Sequence, residues 1–186
     1  MTHRRVNFAL RAVTEADSAA ASAVVQASFT QLAAADWEPQ ARQVFLASAS
    51  PKAMAEKIKV ATCARAAFVG ERMVGFLLMP SPAVLGMLFV HPKWLRQGIA
   101  DGLWQSARTY IEATYPDVQT VELNATPYAI DFYLAAGFVP LSREFKREGC
   151  RVTRMACWLA ARALGARCTP ASLPYPTSST ATEPEP

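Results

Sequence analysis

The sequence predicts an α/β (α+β) fold: one mixed central sheet of about six to seven strands, flanked by helices. Three observations carry this. Residues 66–69 and 73–79 are short apolar runs around the tight turn Gly70-Glu71-Arg72, and read as a hairpin. Residues 83–90, 99–115 and 120–125 read as strand, helix, strand, which calls for a crossover connection. Residues 138–145 and 150–159 form a closing hairpin around Glu148-Gly149. Hairpins make antiparallel neighbours and a crossover makes a parallel one, so the sheet is mixed.

The elements follow in order. Residues 6–11 alternate weakly and give a first strand. Thr14-Glu15-Ala16-Asp17 is a capping box with Asp17 in the place of glutamate. It opens an alanine-rich helix to about Ala35, with Val24, Val25, Ser28, Phe29 and Leu32 on one face. Asp36-Trp37-Glu38-Pro39 breaks that helix, and Pro39 suits the first turn of the next, through Val44, Phe45 and Leu46. Ser50-Pro51 repeats this as an N-cap and N1 pair before Met54 and Ile58. The run 83–90 is apolar on both faces, which places it centrally, and its interior Gly86 marks a bulge or a close backbone approach. Ile99, Leu103, Ala107, Tyr110 and Ile111 line one face of a helix. A shorter helix over 127–136 stops at Gly137, a natural C′ residue.

Composition bounds the function classes. The chain has 186 residues, 52% of them hydrophobic and 18% charged, which suits one globular domain. Residues 1–168 are expected to form it. The Pro/Ser/Thr-rich segment 169–186 is expected to be a disordered tail, passive or used for docking. The longest apolar run, 73–79, is too short to cross a bilayer, and no apolar stretch follows the N-terminus as a secretion signal would. The expected location is the cytoplasm, with Cys63, Cys150, Cys157 and Cys168 as thiols; they lack metal-ligand spacing, and no metal is expected. The net charge is +4, and the basic residues gather late: Arg143, Lys146, Arg147, Arg151, Arg154, Arg162 and Arg167. They make a solvated face, or a surface for phosphates or an acidic partner. No stacking aromatics interleave them, so nucleic acid is not an expected partner.

The stretch 89–104, FVHPKWLRQGIADGLW, holds the clearest chemistry. A strand passes to a helix through Arg96, Gln97 and Gly98. The first four N–H groups of a helix have no intrahelical partner, and their dipole favours an anion. Gly98 lets a ligand approach the backbone, and Ala100 is nearly as small. Arg96 and Gln97 add side-chain donors. The segment is a phosphate cradle or a plain connection. It is neither a P-loop nor a dinucleotide fingerprint, since the glycines those require are missing.

The residues Val90, His91-Pro92, Gln97-Gly98-Ile99-Ala100 and Leu103 resemble the central motif of the GNAT acetyltransferase superfamily. Val121-Glu122-Leu123-Asn124-Ala125, then Ala129, Phe132-Tyr133 and Gly137-Phe138, are similar to that family's last crossover strand and helix. The likeness extends over roughly 6–159 and is most specific between Val84 and Phe138. It departs at Leu95, where the family usually carries Arg or Gln.

The resemblance implies a GNAT fold and an N-acetyltransferase that moves acetyl from acetyl-CoA to a primary amine by direct attack. It implies coenzyme A binding by Leu88, Phe89 and Val90 along the pantetheine arm, by Arg96, Gln97, Gly98, Ile99 and Ala100 at the pyrophosphate, and by Asn124 at the arm's amides. Tyr133 would protonate the departing thiolate; its alternative is a core tyrosine. The central strand has no carboxylate, so Glu122 is the remaining candidate base, against a salt-bridged strand glutamate. His91, Asp36 and Glu38 are further candidates. The acceptor is a small-molecule or protein amine, and a second copy of the chain is left open as a partner. The alternatives are a non-catalytic acyl-CoA sensor of the same fold and a lysine or N-terminal protein acetyltransferase.

Overall fold

The structure, a computed structural model, describes residues 6–159. The tail 169–186, the end of the expected domain, and Arg162, Arg167 and Cys168 lie outside the described residues. The elements are β1 (Ala9–Ala12), α1 (Ser18–Ser28), α2 (Pro39–Ser48), α3 (Pro51–Val60), β2 (Cys63–Val69), β3 (Arg72–Met79), β4 (Met87–Val90), α4 (Ile99–Thr114), β5 (Thr120–Ala125), α5 (Ile130–Ala135), β6 (Val139–Pro140), β7 (Phe145–Arg147) and β8 (Cys150–Trp158). The mixed α/β class holds. The strands divide into two sheets, one ordered β1-β2-β3-β4 and the other β5-β8-β6, with β7 also paired to β8.

Local signals account for most element ends. Asp17 accepts from the Thr14 N–H at 3.0 Å and pairs with Arg11 at 2.8 Å, so the capping box forms and is anchored from β1. Arg11 holds the Asp17 carboxyl below its ordinary range. Ser50 caps α3, with Pro51 at its first position. At the end of α5, Phe138 N–H bonds Tyr133 C=O and Gly137 N–H bonds Leu134 C=O, with Gly137 at φ +92°: a Schellman stop. Glu148 and Gly149 both take positive φ, 49° and 75°, as a two-residue type I′ turn between β7 and β8 requires.

Three expectations change. The helix expected to run to Ala35 is α-helical only to Ser28; residues Phe29–Ala33 are wound as a π-helix and Ala34–Asp36 as a 3-10 turn. Ala-rich sequence is compatible with any of these windings, so composition could not tell them apart. The strand expected over 83–90 is continuous only from Met87, and it is an edge of its sheet rather than its centre. The strand expected over 138–145 is cut to Val139–Pro140 and Phe145–Arg147.

Two cores lie on opposite faces of the first sheet. Val24 and Val25 of α1 and Met54 and Ile58 of α3 pack on Ala66, Phe68, Phe76 and Leu78. Ile99, Leu103, Trp104, Ala107 and Ile111 of α4 pack on the other face, against Ala67, Leu77 and Val90. That second core continues across to Val121, Leu123 and Ala125 of β5 and to Tyr133 and Phe138, so it fastens the two sheets together.

Gly75 of β3 sets how closely α4 can lie. A Cβ there would stand 2.7 Å from Ile99 Cγ2 and 2.9 Å from Leu103 Cδ1. The Ile99 methyl sits on a stiff, β-branched carbon at the first turn of α4. Gly75→Ala is therefore expected to lower stability by about 1–3 kcal/mol through overpacking. Urea unfolding measures it, and an unchanged midpoint would mean that α4 moves off the sheet freely.

Candidate functional site

Among the described residues, the main chains of the two sheets bond at a single place. Val84 bridges Glu122 in parallel; Leu85 donates its N–H to the Glu122 carbonyl at 2.9 Å, and Glu122 donates to the Ala83 carbonyl at 2.8 Å. Beyond this point β4 pairs only with β3, and β5 pairs only with β8. Gly86 and Met87 both oppose Leu78: Met87 is its register partner, and Gly86 donates to the same carbonyl at 3.0 Å. Two residues against one make a β-bulge, which bends β4 at its start. A Cβ on Gly86 would come within 2.9 Å of Pro80 Cδ, so the bulge needs glycine.

Register decides which β4 amides are available. Val74 opposes His91, and His91 donates its N–H to the Val74 carbonyl at 2.9 Å. Hydrogen-bonded pairs alternate along an antiparallel ladder, so Phe76 and Phe89 form the next one. The N–H and C=O groups of Leu88 and Val90 then point away from β3, toward the gap left by β5. The gap opens into a cavity of about 850 Å³.

The connection into α4 forms one wall of this cavity. Arg96 and Gly98 take left-handed conformations, φ 58° and 79°, which curl the loop so that its N–H groups converge. The first main-chain bond of α4 runs from Gly102 N–H to Gly98 C=O, so the amides before Gly102 lie outside the helical ladder. Gly98, Ile99, Ala100 and Asp101 all line the cavity. A Cβ on Gly98 would meet no protein atom within 4 Å. The space in front of this backbone is open, and N–H groups at a helix start beside open space suit an anionic group. Leu95 is half-buried against the α4 core, so an apolar contact occupies the position of the family's Arg or Gln.

The cavity brings together nine of the eleven residues expected at the site: Leu88, Phe89, Val90, Arg96, Gly98, Ile99, Ala100, Asn124 and Tyr133. Two are placed elsewhere. The Gln97 side chain turns to the segment before β1, where its Oε1 accepts from the Val6 N–H at 3.2 Å. The Glu122 carboxylate accepts from Arg154 Nε at 2.9 Å and Nη2 at 2.6 Å, and it does not line the cavity. Of the further candidates, His91 caps a short turn, its Nδ1 accepting from the Lys93 N–H, and burial with Arg72 and Lys93 nearby lowers its pKa. Asp36 pairs with Arg151 at 2.7 Å, and Glu38 with Lys146. These pairs tie the β7–β8 hairpin to the segment before α2, and they engage Lys146 and Arg151 within the fold.

Tyr133 is buried, with its ring centroid 5.2 Å from Phe132 and 5.3 Å from Phe138. Burial raises its pKa, so the phenol keeps its proton at and above its ordinary value of about 10. The residues around it belong to the helix-end motif 129–138, which is why its place was legible.

The opposite wall was only partly legible. Phe29, Trp37 and Phe45 can be placed near helix ends from sequence, but the π-helical turn that puts Phe29, Leu32 and Ala33 on the cavity has no sequence signal. The β7–β8 hairpin adds Arg147, Glu148, Cys150 and Val152. Its turn could be read from Glu148-Gly149; its reach to the cavity could not.

The family comparisons agree with this geometry. A family model for the acetyltransferase (GNAT) domain matches residues 33–159. Among solved structures, a GCN5-related N-acetyltransferase from Rhodopseudomonas palustris superposes with a TM-score of 0.73 at 21% identity, covering 85% of this chain and 99% of that one. PaiA N-acetyltransferase from Thermoplasma acidophilum, in complex with coenzyme A, gives 0.68 at 15% identity over 82% of this chain and 99% of that one. The ribosomal-protein-S18-alanine N-acetyltransferase from Escherichia coli gives 0.57 at 17% identity over 82% and 94%. At these identities the structural likeness speaks for the fold. No curated protein sequence matches the chain.

Cys150 is a nucleophilic atom on the cavity wall, and its environment quiets it. Burial, Asp36 and Glu144 outweigh Arg151 and push the thiol up to about 11. Only the thiolate reacts, so alkylation of native Cys150 at pH 8 is expected to run about 100-fold slower than that of an unperturbed thiol. Peptide mapping after timed iodoacetamide treatment measures it; rapid labelling of Cys150 in the folded protein would contradict this environment.

Proposed function

The chain belongs to the acetyltransferase (GNAT) family, and within it we propose an N-acetyltransferase that moves acetyl from acetyl-CoA to a primary amine by direct attack. The observation that carries the proposal is the parting of β4 from β5, with outward main-chain groups on Leu88 and Val90 and the free amides of α4 at one end.

Acetyl-CoA supplies an activated thioester. The amides from Gly98 to Asp101 would hold its pyrophosphate, aided by the helix dipole. The outward edge of β4 would take the pantetheine arm as an added strand, through the main chain of Leu88 and Val90. Asn124, exposed at the end of β5, offers an amide to the same arm. The N–H of Leu88 or Val90 would hold the oxyanion that develops on the acyl carbonyl. Tyr133 holds a proton at Oη. Giving it up fully would leave a buried phenolate, so the hydroxyl acts by hydrogen bonding to the sulfur as negative charge develops there. Cys150, kept as a thiol, is unsuited to a covalent acyl route.

The acceptor amine must shed its proton before attack. Glu122 would act as base only if released from Arg154, so deprotonation by water is the simpler route. The same ion pair favours the rival reading, an acyl-CoA sensor without turnover. Free thiol released from acetyl-CoA across a panel of amines separates the two. Release with any amine supports the enzyme, and tight binding without release supports the sensor.

Two variants test the parts. Tyr133→Phe is expected to lower kcat about 10- to 100-fold while the acetyl-CoA Kd stays within about twofold. Because burial raises the phenol pKa, wild-type kcat should show no loss from tyrosine ionisation below pH 10. Unchanged turnover in the variant would remove Tyr133 from the chemistry. Gly98→Val should weaken coenzyme A binding about tenfold or more by calorimetry, since at φ +79° its side chain strains the loop and stands in the open space before the amides. Equal affinity would sink the cradle.

A further inference from the structure

The wall facing the reactive end of the cavity is a cluster of four aromatic rings. Phe29 stacks on Phe45 at 4.1 Å between centroids, Trp37 meets Phe29 edge-on at 5.3 Å and lies 5.1 Å from Phe45, and Phe89 of β4 stands 6.0 Å from Phe45. All four line the cavity, drawn from α1's π-helical extension, the 36–38 segment, α2 and β4. Phe89 alternates with Leu88 along β4, so this wall lies on the opposite side of the strand from α4. The carboxylates nearest in sequence, Asp36 and Glu38, are taken by Arg151 and Lys146. Glu148 is the acid that the hairpin brings to the lining; it is largely exposed and lies 3.6 Å from Arg147.

Resting on the acetyltransferase reading, we infer that the acceptor is a monoamine on a compact aromatic or apolar carbon skeleton, bound against Trp37, Phe45 and Phe89, with the buried Phe29 packed behind them. Stacked and edge-on rings gain by covering a carbon skeleton. They offer no hydrogen-bond set for a sugar amine, and the carboxylates that line the cavity, Asp101 of α4, Asp131 of α5 and Glu148 of the hairpin, form no cluster for the several ammonium groups of a polyamine, whose burial would be costly. The same wall assists the chemistry. Desolvation disfavours the charged form of an ammonium, so binding there increases the neutral fraction without a carboxylate on β4. One proton leaves the ammonium to solvent before attack; a second leaves the nitrogen as the C–N bond forms and the C–S bond breaks, and ends on the thiol.

The test uses the full chain with phenethylamine, spermidine and an alanyl peptide as probes. Phenethylamine is expected to give the highest kcat/KM, by about tenfold or more. Phe45→Ala should raise its KM about tenfold with the acetyl-CoA Kd unchanged, and Phe45→Leu should recover most of the loss. Calorimetry of phenethylamine with the protein and coenzyme A reads the pocket without turnover. If no amine is acetylated but phenethylamine binds and Phe45→Ala abolishes it, the pocket stands and the acetyltransferase reading falls. Preference for spermidine or the peptide, or phenethylamine affinity indifferent to Phe45→Ala, overturns the inference.

Discussion

The segment leading into β4 shares two main-chain hydrogen bonds with β5 around Glu122, after which β4 and β5 part, and the rest of the molecule depends on that parting. A sheet that continued pairing would satisfy its own N–H and C=O groups and leave nothing for a ligand. The bulge at Gly86 prevents this by re-aiming β4, and Pro80, packed where a Cβ would stand, leaves that position to glycine. The cost is a row of unpaired edge groups. It is offset by the core that α4 builds beneath both sheets, in which Trp104 and Phe138 lie with ring centroids 4.9 Å apart.

The cavity between the strands takes its two chemical characters from the two faces of the first sheet. On the α4 side it meets free amides, a helix dipole and left-handed loop residues, all suited to an anion. On the α1–α2 side it meets aromatic rings. A single strand, β4, separates the two through the alternation of Leu88 and Phe89. A phosphate and a carbon skeleton can therefore approach the same few residues from different directions, which is the arrangement that group transfer between two molecules requires.

The sequence was most legible where local rules act alone. The capping box at Thr14, the Ser50-Pro51 start of α3, the Glu148-Gly149 turn and the Gly137 stop each follow from residues within a few positions. The loop at Arg96 to Ala100 and the helix end around Tyr133 were legible as paired motifs. The strand over 83–90 was misjudged as central because apolar residues on both faces signal burial from two sides, and they do so equally beside a cavity. Glu122 and Gln97 were sensible candidates by spacing, but spacing does not show that Arg154 lies diagonally across the ladder from Glu122, or that Val6 needs an acceptor.

By itself, the sequence determined the mixed α/β class, the order of most elements and the glycine-bearing turn into α4, because each depends on periodicity, capping or glycine at a fixed local offset. The tertiary structure alone decided that the central strand becomes an edge, that the π-helical turn and the β7–β8 hairpin close one cavity, and that its far wall is aromatic. These depend on contacts between residues such as Phe29 and Phe89, or Asp36 and Arg151, that are far apart in the chain. Their pairing energies appear only once the chain has folded.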